Sequence, residues 1–210
     1  MSLNVAKEYY EQYWTPGTEA PPDTDPLTED RITMFLRYSE TRRGTLLDAG
    51  CGGGRAMALL AAAGYRVTGI DISLAALERA HAHTSGAGVV AGAIDSSLPF
   101  ADESFDAVLS CEVIEHLVDV PRALSEMRRV LRPGGRLFLS TPYHGRLKNL
   151  ALALHGFDRH FDPTGPHIRF FSLRSLTHLL DRNGFRVTKT FCLGRFWPLW
   201  MNMLVWAEKA

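Results

Sequence analysis

Leu46-Leu47-Asp48-Ala49-Gly50-Cys51-Gly52-Gly53-Gly54 is the stretch on which the fold turns. Thr45–Ala49 is a short apolar run, the glycines form a turn, and Ala56–Ala63 beyond them reads as helix. A buried strand running straight into a helix brings backbone close beneath a ligand. Glycine reaches positive φ without a Cβ clash, and the helix start offers unpaired N–H groups to a negatively charged ligand end. The dinucleotide-binding spacing G-x-G-x-x-G would need glycine at 55, where Arg55 stands. The chain instead has Gly50, Gly52 and Gly54, with Asp48 two residues before the first.

Outward from the turn, short apolar runs alternate with helical patterns. Arg66–Asp71 reads as a second strand, Leu74–Ala82 as a helix capped by Ser73, and Val89–Ala91 and Phe105–Cys111 as further strands. Val120–Val130 is a helix, Pro133-Gly134-Gly135 a breaker, and Arg136–Ser140 the strand after it. Ser172–Arg182 is a helix stopped by Gly184, and Phe185–Phe191 and Met203–Glu208 are two last strands. Strands separated by helices imply a parallel sheet covered on both faces. The last two strands have no helix between them, so one should run antiparallel. Residues 1–44 carry an aromatic cluster (Tyr9, Tyr10, Tyr13, Trp14), a link with Pro16, Pro21, Pro22 and Pro26, and an amphipathic helix near Thr28–Tyr38. Tyr143–Phe171 reads as an irregular insertion of the length that is functional or disordered.

Two acids stand where ligands of open α/β sheets bind, at the carboxyl ends of strands. Asp71 could accept from both ribose hydroxyls, or be a solvated acid at a strand end. Asp95, followed by Ser96, could accept from an adenine amino group, or cap its loop.

Five blocks in order carry a family resemblance: D-A-G-C-G-G-G (48–54), G-I-D-I-S (69–73), I-D-S-S-L-P-F (94–100), F-D-A-V-L-S-C-E-V-I-E-H-L (105–117) and V-L-R-P-G-G (130–135). Residues 45–140 resemble a class I S-adenosylmethionine-dependent methyltransferase of the type 11/23 kind. The resemblance implies an α/β, Rossmann-like three-layer sandwich, with a seven-stranded mostly parallel sheet and an antiparallel last strand. It also implies S-adenosyl-L-methionine as cofactor and S-adenosyl-L-homocysteine as product. Gly50, Gly52 and Gly54 would line the methionine and ribose side, with Asp48 before them. Asp71 would hold the ribose, Ile72 and Leu98 would flank the adenine, and Asp95 and Ser96 would stand at its amino group. The Ser110–Cys111 backbone would face the methionine end.

Glu112-Val113-Ile114-Glu115-His116 follows the fourth strand, and its two carboxylates and imidazole can converge on a helical turn. The segment is similar to E-x-x-E-H in ubiquinone-pathway O-methyltransferases and small-RNA 2′-O-methyltransferases. There it supplies three metal ligands and a distant histidine the fourth. By that similarity Glu112, Glu115, His116 and His167 would hold a divalent metal, with His144 and His160 as other candidates for the fourth position. Similar segments in metal-free members leave His116 a pocket-shaping role. As general base His116 comes first and His144 second.

The acceptor is the least legible part. The aromatics of residues 9–14 either form a lid over the cofactor or pack onto the domain. His144, Arg146, His155, Arg159, His160, His167 and Arg169 either bind an acidic or phosphorylated acceptor or keep a loop soluble. Phe196, Trp197 and Trp200 either wall an apolar pocket or join the core.

The 210 residues are 46% hydrophobic, enough for one domain with a core. The expected division is a lid at 1–44, a cofactor-binding core at 45–142, a substrate-side insertion at 143–171 and the end of the sheet at 172–210. The 23 basic and 23 acidic residues cancel, which leaves no electrostatic footprint for nucleic acid and favours a small-molecule acceptor, with oxygen as the expected atom. Cys51, Cys111 and Cys192 form neither a disulfide framework nor a C-x-x-C pair, which suits a reducing compartment. The opening residues show no signal peptide. The apolar stretch Phe191–Trp206, broken by Gly194, Arg195 and Pro198, falls short of the ~20 residues a spanning helix needs. Together these point to the cytoplasm. The rival readings are a non-catalytic S-adenosylmethionine-binding or regulatory protein, and an NAD-linked oxidoreductase. Arg55 and the lack of a Tyr-x-x-x-Lys pair disfavour the second.

Overall fold

Leu46 and Leu47 are both fully buried, yet as strand neighbours they face opposite sides, so the sheet they belong to has a core on each face. In this computed structural model, which describes residues 3–15, 25–39, 43–84, 86–163 and 165–210 (Leu3, Asn4 and Arg159 in backbone only), the strands are β1 (Thr45–Ala49), β2 (Arg66–Asp71), β3 (Gly88–Ala91), β4 (Phe105–Cys111), β5 (Leu131–Pro142), β6 (Phe185–Leu193) and β7 (Asn202–Lys209). They form one sheet in the order β3-β2-β1-β4-β5-β7-β6. Neighbours from β3 to β5 are parallel, and β7 runs antiparallel to both β5 and β6. Pro16, Pro21 and Pro22 lie outside the described residues.

The helices are α1 (Leu3–Trp14), α2 (Thr28–Tyr38), α3 (Arg55–Ala62), α4 (Leu74–His83), α5 (Val120–Val130), α6 (Arg146–His155), α7 (Phe157–His160) and α8 (Leu173–Arg182). One face of the sheet gathers Leu47, Val108, Leu137 and Val205 with Leu124 and Met127 of α5 and Leu176 and Leu180 of α8. The other gathers Leu46, Val67, Leu109, Phe138 and Trp206 with Phe35 of α2, Met57 and Leu60 of α3, and Leu77 of α4. The result is the three-layer sandwich expected from the strand–helix alternation. Ser73 caps α4 by accepting from the Ala76 N–H at 3.1 Å. Asp119 caps α5 through the Arg122 N–H at 3.0 Å.

Two expectations need correction. Residues 143–171 are not an irregular loop, because they contain α6 and α7. The helix α6 buries no residue, which hides it from a reading based on a core-facing stripe. The Pro133-Gly134-Gly135 segment does not precede the fifth strand but lies within β5. There the register against β4 slips from Phe105 opposite Leu131 to Ala107 opposite Arg136, and Gly134 takes φ +73°.

Candidate active site

The parallel strands all end at one edge of the sheet, and the loops leaving them enclose a cavity of about 1090 Å³. Its floor is the glycine turn. Gly50 and Gly52 adopt φ of +87° and +50°, and Gly50, Cys51, Gly52 and Gly53 line the cavity. A Cβ on Gly52 would stand 2.7 Å from the Trp14 ring, so the aromatic packs directly on bare backbone. Gly54 does something else. At φ +83° it opens α3, and a Cβ there would lie 2.7 Å from Ala80 Cα, so this glycine lets α3 and α4 meet and is off the cavity wall.

Three of the sequence-predicted acids line the cavity: Asp48, Asp71 and Asp95. Asp48 is only 2% exposed, and its Oδ2 has no hydrogen-bond partner. Burial, reinforced by the charge of Asp71, pushes its carboxyl up to about 7. Asp71 accepts from the Gly52 N–H at 2.9 Å and the Ser73 N–H at 3.0 Å. Burial raises its carboxyl, and these N–H groups pull it partly back. Asp95 Oδ2 accepts from the N–H groups of Val118 and Asp119 at 3.2 and 3.4 Å, tying the loop after β3 to the loop before α5. Ile72, Ser96 and Cys111 also line the wall. Burial pushes the Cys111 thiol up to about 12, so it is no nucleophile. Leu98 is not on the wall. It is a buried core residue whose N–H donates to Glu126 at 2.8 Å.

The roof is α1. Tyr9, Tyr10, Tyr13 and Trp14 all line the cavity. Glu11 holds the helix in place by accepting from the Leu74 and Ala75 N–H groups at 2.8 and 3.2 Å, at the N-terminus of α4. Arg79 of α4 lies over the Trp14 ring at 5.8 Å. An acidic side chain at a helix start is stabilised by the unpaired N–H groups there.

The segment after β4 divides its two glutamates. Glu112, at φ +56°, accepts from Ser140 Oγ at 2.7 Å and Asn202 Nδ2 at 2.5 Å, with Arg31 Nε 3.9 Å away. Its carboxylate is engaged by β5 and β7. Glu115 instead joins His116 and His167, whose ligand atoms lie within 4.8 Å of one another. Glu115 is 1% exposed and raised well above its usual range by burial and by Glu112. Its Oε2 accepts from Thr141 at 2.9 Å, while Oε1, 3.8 Å from His116 Nε2, has no partner. His116 Nδ1 meets the Pro166 carbonyl at 3.0 Å, which makes that nitrogen the N–H and leaves Nε2 as the lone pair. Burial holds the ring down to about 4, so it is neutral at pH 7. Residues 166–169 are pinned here because the Ile168 and Arg169 N–H groups both donate to the Glu115 carbonyl at 3.1 Å. Arg169 also donates to the Leu117 and Val118 carbonyls. His167 thereby reaches 4.7 Å from the His116 ring, with Tyr10 on another side at 5.7 Å.

His144 is off the cavity wall. It is buried, meets Asn149 at 3.1 Å and packs against Phe170, which leaves it no route to a reacting atom. Of the remaining histidines and arginines of 143–171, His160 reaches the cavity, while Arg146 and His155 are exposed. Phe196 and Trp197 are neither core nor wall, at 69% and 63% exposed, and Trp200 packs on Tyr143. Lys148 and Arg195 do line the cavity, and so does Arg31, 3% exposed with no hydrogen bond at Nε. None of these three sits in a local motif that would announce it.

Residues 47–139 match the family described as Methyltransferase domain. The ubiquinone biosynthesis O-methyltransferase of Ralstonia nicotianae is 32% identical over 173 residues, 79% of this chain and 71% of that one. The malonyl-[acyl-carrier protein] O-methyltransferase of Erwinia pyrifoliae is 38% identical over 144 residues, 69% and 52% of the two chains. The chain spans about half the length of most of the curated relatives it matches. Among solved structures, a Burkholderia thailandensis 1,6-didemethyltoxoflavin-N1-methyltransferase, with bound 1,6-didemethyltoxoflavin and S-adenosylhomocysteine, superposes with a TM-score of 0.76. It does so at 19% identity, over 98% of this chain and 88% of that one, which speaks for the fold. The chain belongs to the S-adenosylmethionine-dependent methyltransferase domain family. Among the described residues no helix is long and apolar enough to cross a membrane.

Proposed function

We propose that this chain transfers a methyl group from S-adenosylmethionine to a small-molecule acceptor, at oxygen. The observation that carries the reading is the cavity itself, which the glycine turn, Asp48, Asp71, His116, His167 and the aromatics of α1 line together. An orphaned buried carboxylate oxygen on Asp48 suits a ligand bearing positive charge, as the sulfonium and ammonium of S-adenosylmethionine do. The two O-methyltransferases named above support oxygen as the acceptor atom.

S-Adenosylmethionine, when bound, supplies a methyl group already activated for in-line displacement. The chain's residues then bind, orient and exclude water. Asp71 is placed to accept from ribose hydroxyls with the lone pairs its two N–H partners leave free, and Ile72 to cover the adenine. Tyr9, Tyr10 and Trp14 close the cavity against solvent. Good alignment alone can remove roughly 7–11 kcal/mol of barrier, and His116 Nε2, held as a lone pair by Pro166, is the group placed to take the acceptor's proton. We assign residues 1–44 to the lid, 45–142 to cofactor binding and 143–171 to the acceptor side, with 172–210 completing the sheet.

A second reading adds a divalent cation on Glu115, His116 and His167, favoured by the unpartnered Glu115 Oε1. Glu112 falls outside that set. One carboxylate and two imidazoles fit such an ion, which would supply Lewis acidity toward the acceptor oxygen.

Titration calorimetry with S-adenosylmethionine and S-adenosylhomocysteine, followed by labelled methyl transfer to a panel of small hydroxylated compounds, tests the proposal. Micromolar binding and an O-methyl product support it. Absence of binding to folded protein overturns it. Loss of transfer on chelation, restored by a divalent salt, supports the metal.

A further inference from the structure

The cavity wall carries both signs, and two of its cations, Arg31 and Arg55, are paired with Asp25 and Glu29. Asp48, Asp71 and Asp95 line the cofactor end. At the acceptor end stand Lys148 of α6 and Arg195 of the β6–β7 loop, with no carboxylate in ion-pair reach of either among the described residues. Glu112 is the acid facing Lys148, but its oxygens are taken by Ser140 and Asn202. Lys148 is half-buried, and its one hydrogen bond is to the Trp200 carbonyl at 3.0 Å. Burial and the Arg195 charge both disfavour its ammonium form. His160 lines the same end, and its Nε2 is buried without a partner. Arg195 is exposed, but the half-buried Lys148 ammonium and the orphaned ring nitrogen of His160 are unfavourable until an anion joins them.

We propose that Lys148 and Arg195, with His160, bind an anionic group on the acceptor, a carboxylate or a phosphate, so that this protein methylates an acidic small molecule. Leu199 and Met201 flank this end and would meet the acceptor's apolar part. An ammonium and a guanidinium from two separate elements can share such an anion, and charge-assisted hydrogen bonds of this kind are about twice as strong as neutral ones. The consequence for the substrate rests on the methyltransferase reading. The anion site does not.

The test is calorimetric titration of octanoate, octyl phosphate and 1-octanol into the full chain, with and without saturating S-adenosylhomocysteine. At least one of the acids should bind one per chain and at least tenfold more tightly than octanol, weakening at high salt. The tighter of the two separates a carboxylate from a phosphate subsite. Lys148→Met and Arg195→Gln should each weaken the acid at least fivefold, with Lys148→Arg restoring it and S-adenosylhomocysteine affinity within twofold of the parent in all three. Octanol binding as tightly as both acids, or acid binding untouched in the Lys148→Met/Arg195→Gln double variant, overturns the proposal. Failure of S-adenosylhomocysteine to bind would instead sink the methyltransferase reading, and the titrations without it still decide the anion site.

Discussion

At the residue scale, the buried acid Asp48 is the most sensitive feature of the cavity. With its carboxyl pushed up to about 7, the empty protein holds it protonated below that pH. Asp71 on β2, Cys51 within the glycine turn and Cys111 on β4 are the titratable groups facing it. A raised carboxyl favours the fold when neutral, so its contribution is intact below about 3.8 and is lost as pH rises through about 7. Asp48→Asn should therefore melt increasingly above the parent as pH climbs through that window, measured by calorimetry. A cationic ligand needs the ionised form, so parent affinity for S-adenosylmethionine should rise from pH 5.5 to a plateau above about 7, and Asp48→Asn should flatten that rise. Asp71→Ala should weaken the cofactor by about 10–100-fold in titration, because hydrogen bonds to a charged group are worth about 1.5–3 kcal/mol each. Unchanged affinity would move the ribose elsewhere. Asp48, Gly50, Gly52 and Asp71 were legible because local chemistry announces them: an acid beside glycines, an acid at a strand end. Gly54 and Leu98 belong to the same motifs but face helix packing and core, which spacing cannot distinguish. Lys148 and Arg195 come to the same cavity only through tertiary structure.

At the element scale, α1 is a roof held by few contacts, chiefly Glu11 on the first N–H groups of α4 and Trp14 on Gly52. A carboxylate in such a place is worth about 1 kcal/mol or less. Glu11→Ala should weaken S-adenosylhomocysteine up to about fivefold, speed hydrogen exchange along α1, and leave melting of the sheet nearly unchanged. Equal protection of α1 in both proteins would show that the aromatics hold it alone. The central strands β1, β4 and β5 were readable as apolar runs because they are buried on both faces, whereas β3 buries no residue and β6 only Phe185. The helix α6 was not readable, because a helix with no buried face carries no stripe to read.

At the scale of the whole molecule, residues of the loop after β1 and of α1 line one cavity, so a ligand seated there would touch both and should stabilise the entire unit. At one hundred times its dissociation constant, S-adenosylhomocysteine adds about 2.7 kcal/mol. For a chain of this size that is a rise of roughly 5–10 °C in Tm, and a scan showing no rise at saturation would argue against this cavity as its site. The parallel, doubly covered sheet was the most legible level of all, since strand–helix alternation dictates it. The direction of β7 followed from the missing helix before it.

That reversed strand has a further consequence. Because β7 begins where the parallel strands end, with Asn202 opposite Pro142, the turn leading into it opens at the same rim as the glycine turn. A parallel seventh strand would have put that turn at the far rim, some five or six residues of strand away. On the proposed reading, the groups that would face the acceptor then come largely from segments after β5, and those that would face the donor mostly from segments before it. If the proposed reaction holds, its two halves would be modular: a new acceptor would be accommodated by rewriting the later segments while the earlier ones keep their sequence.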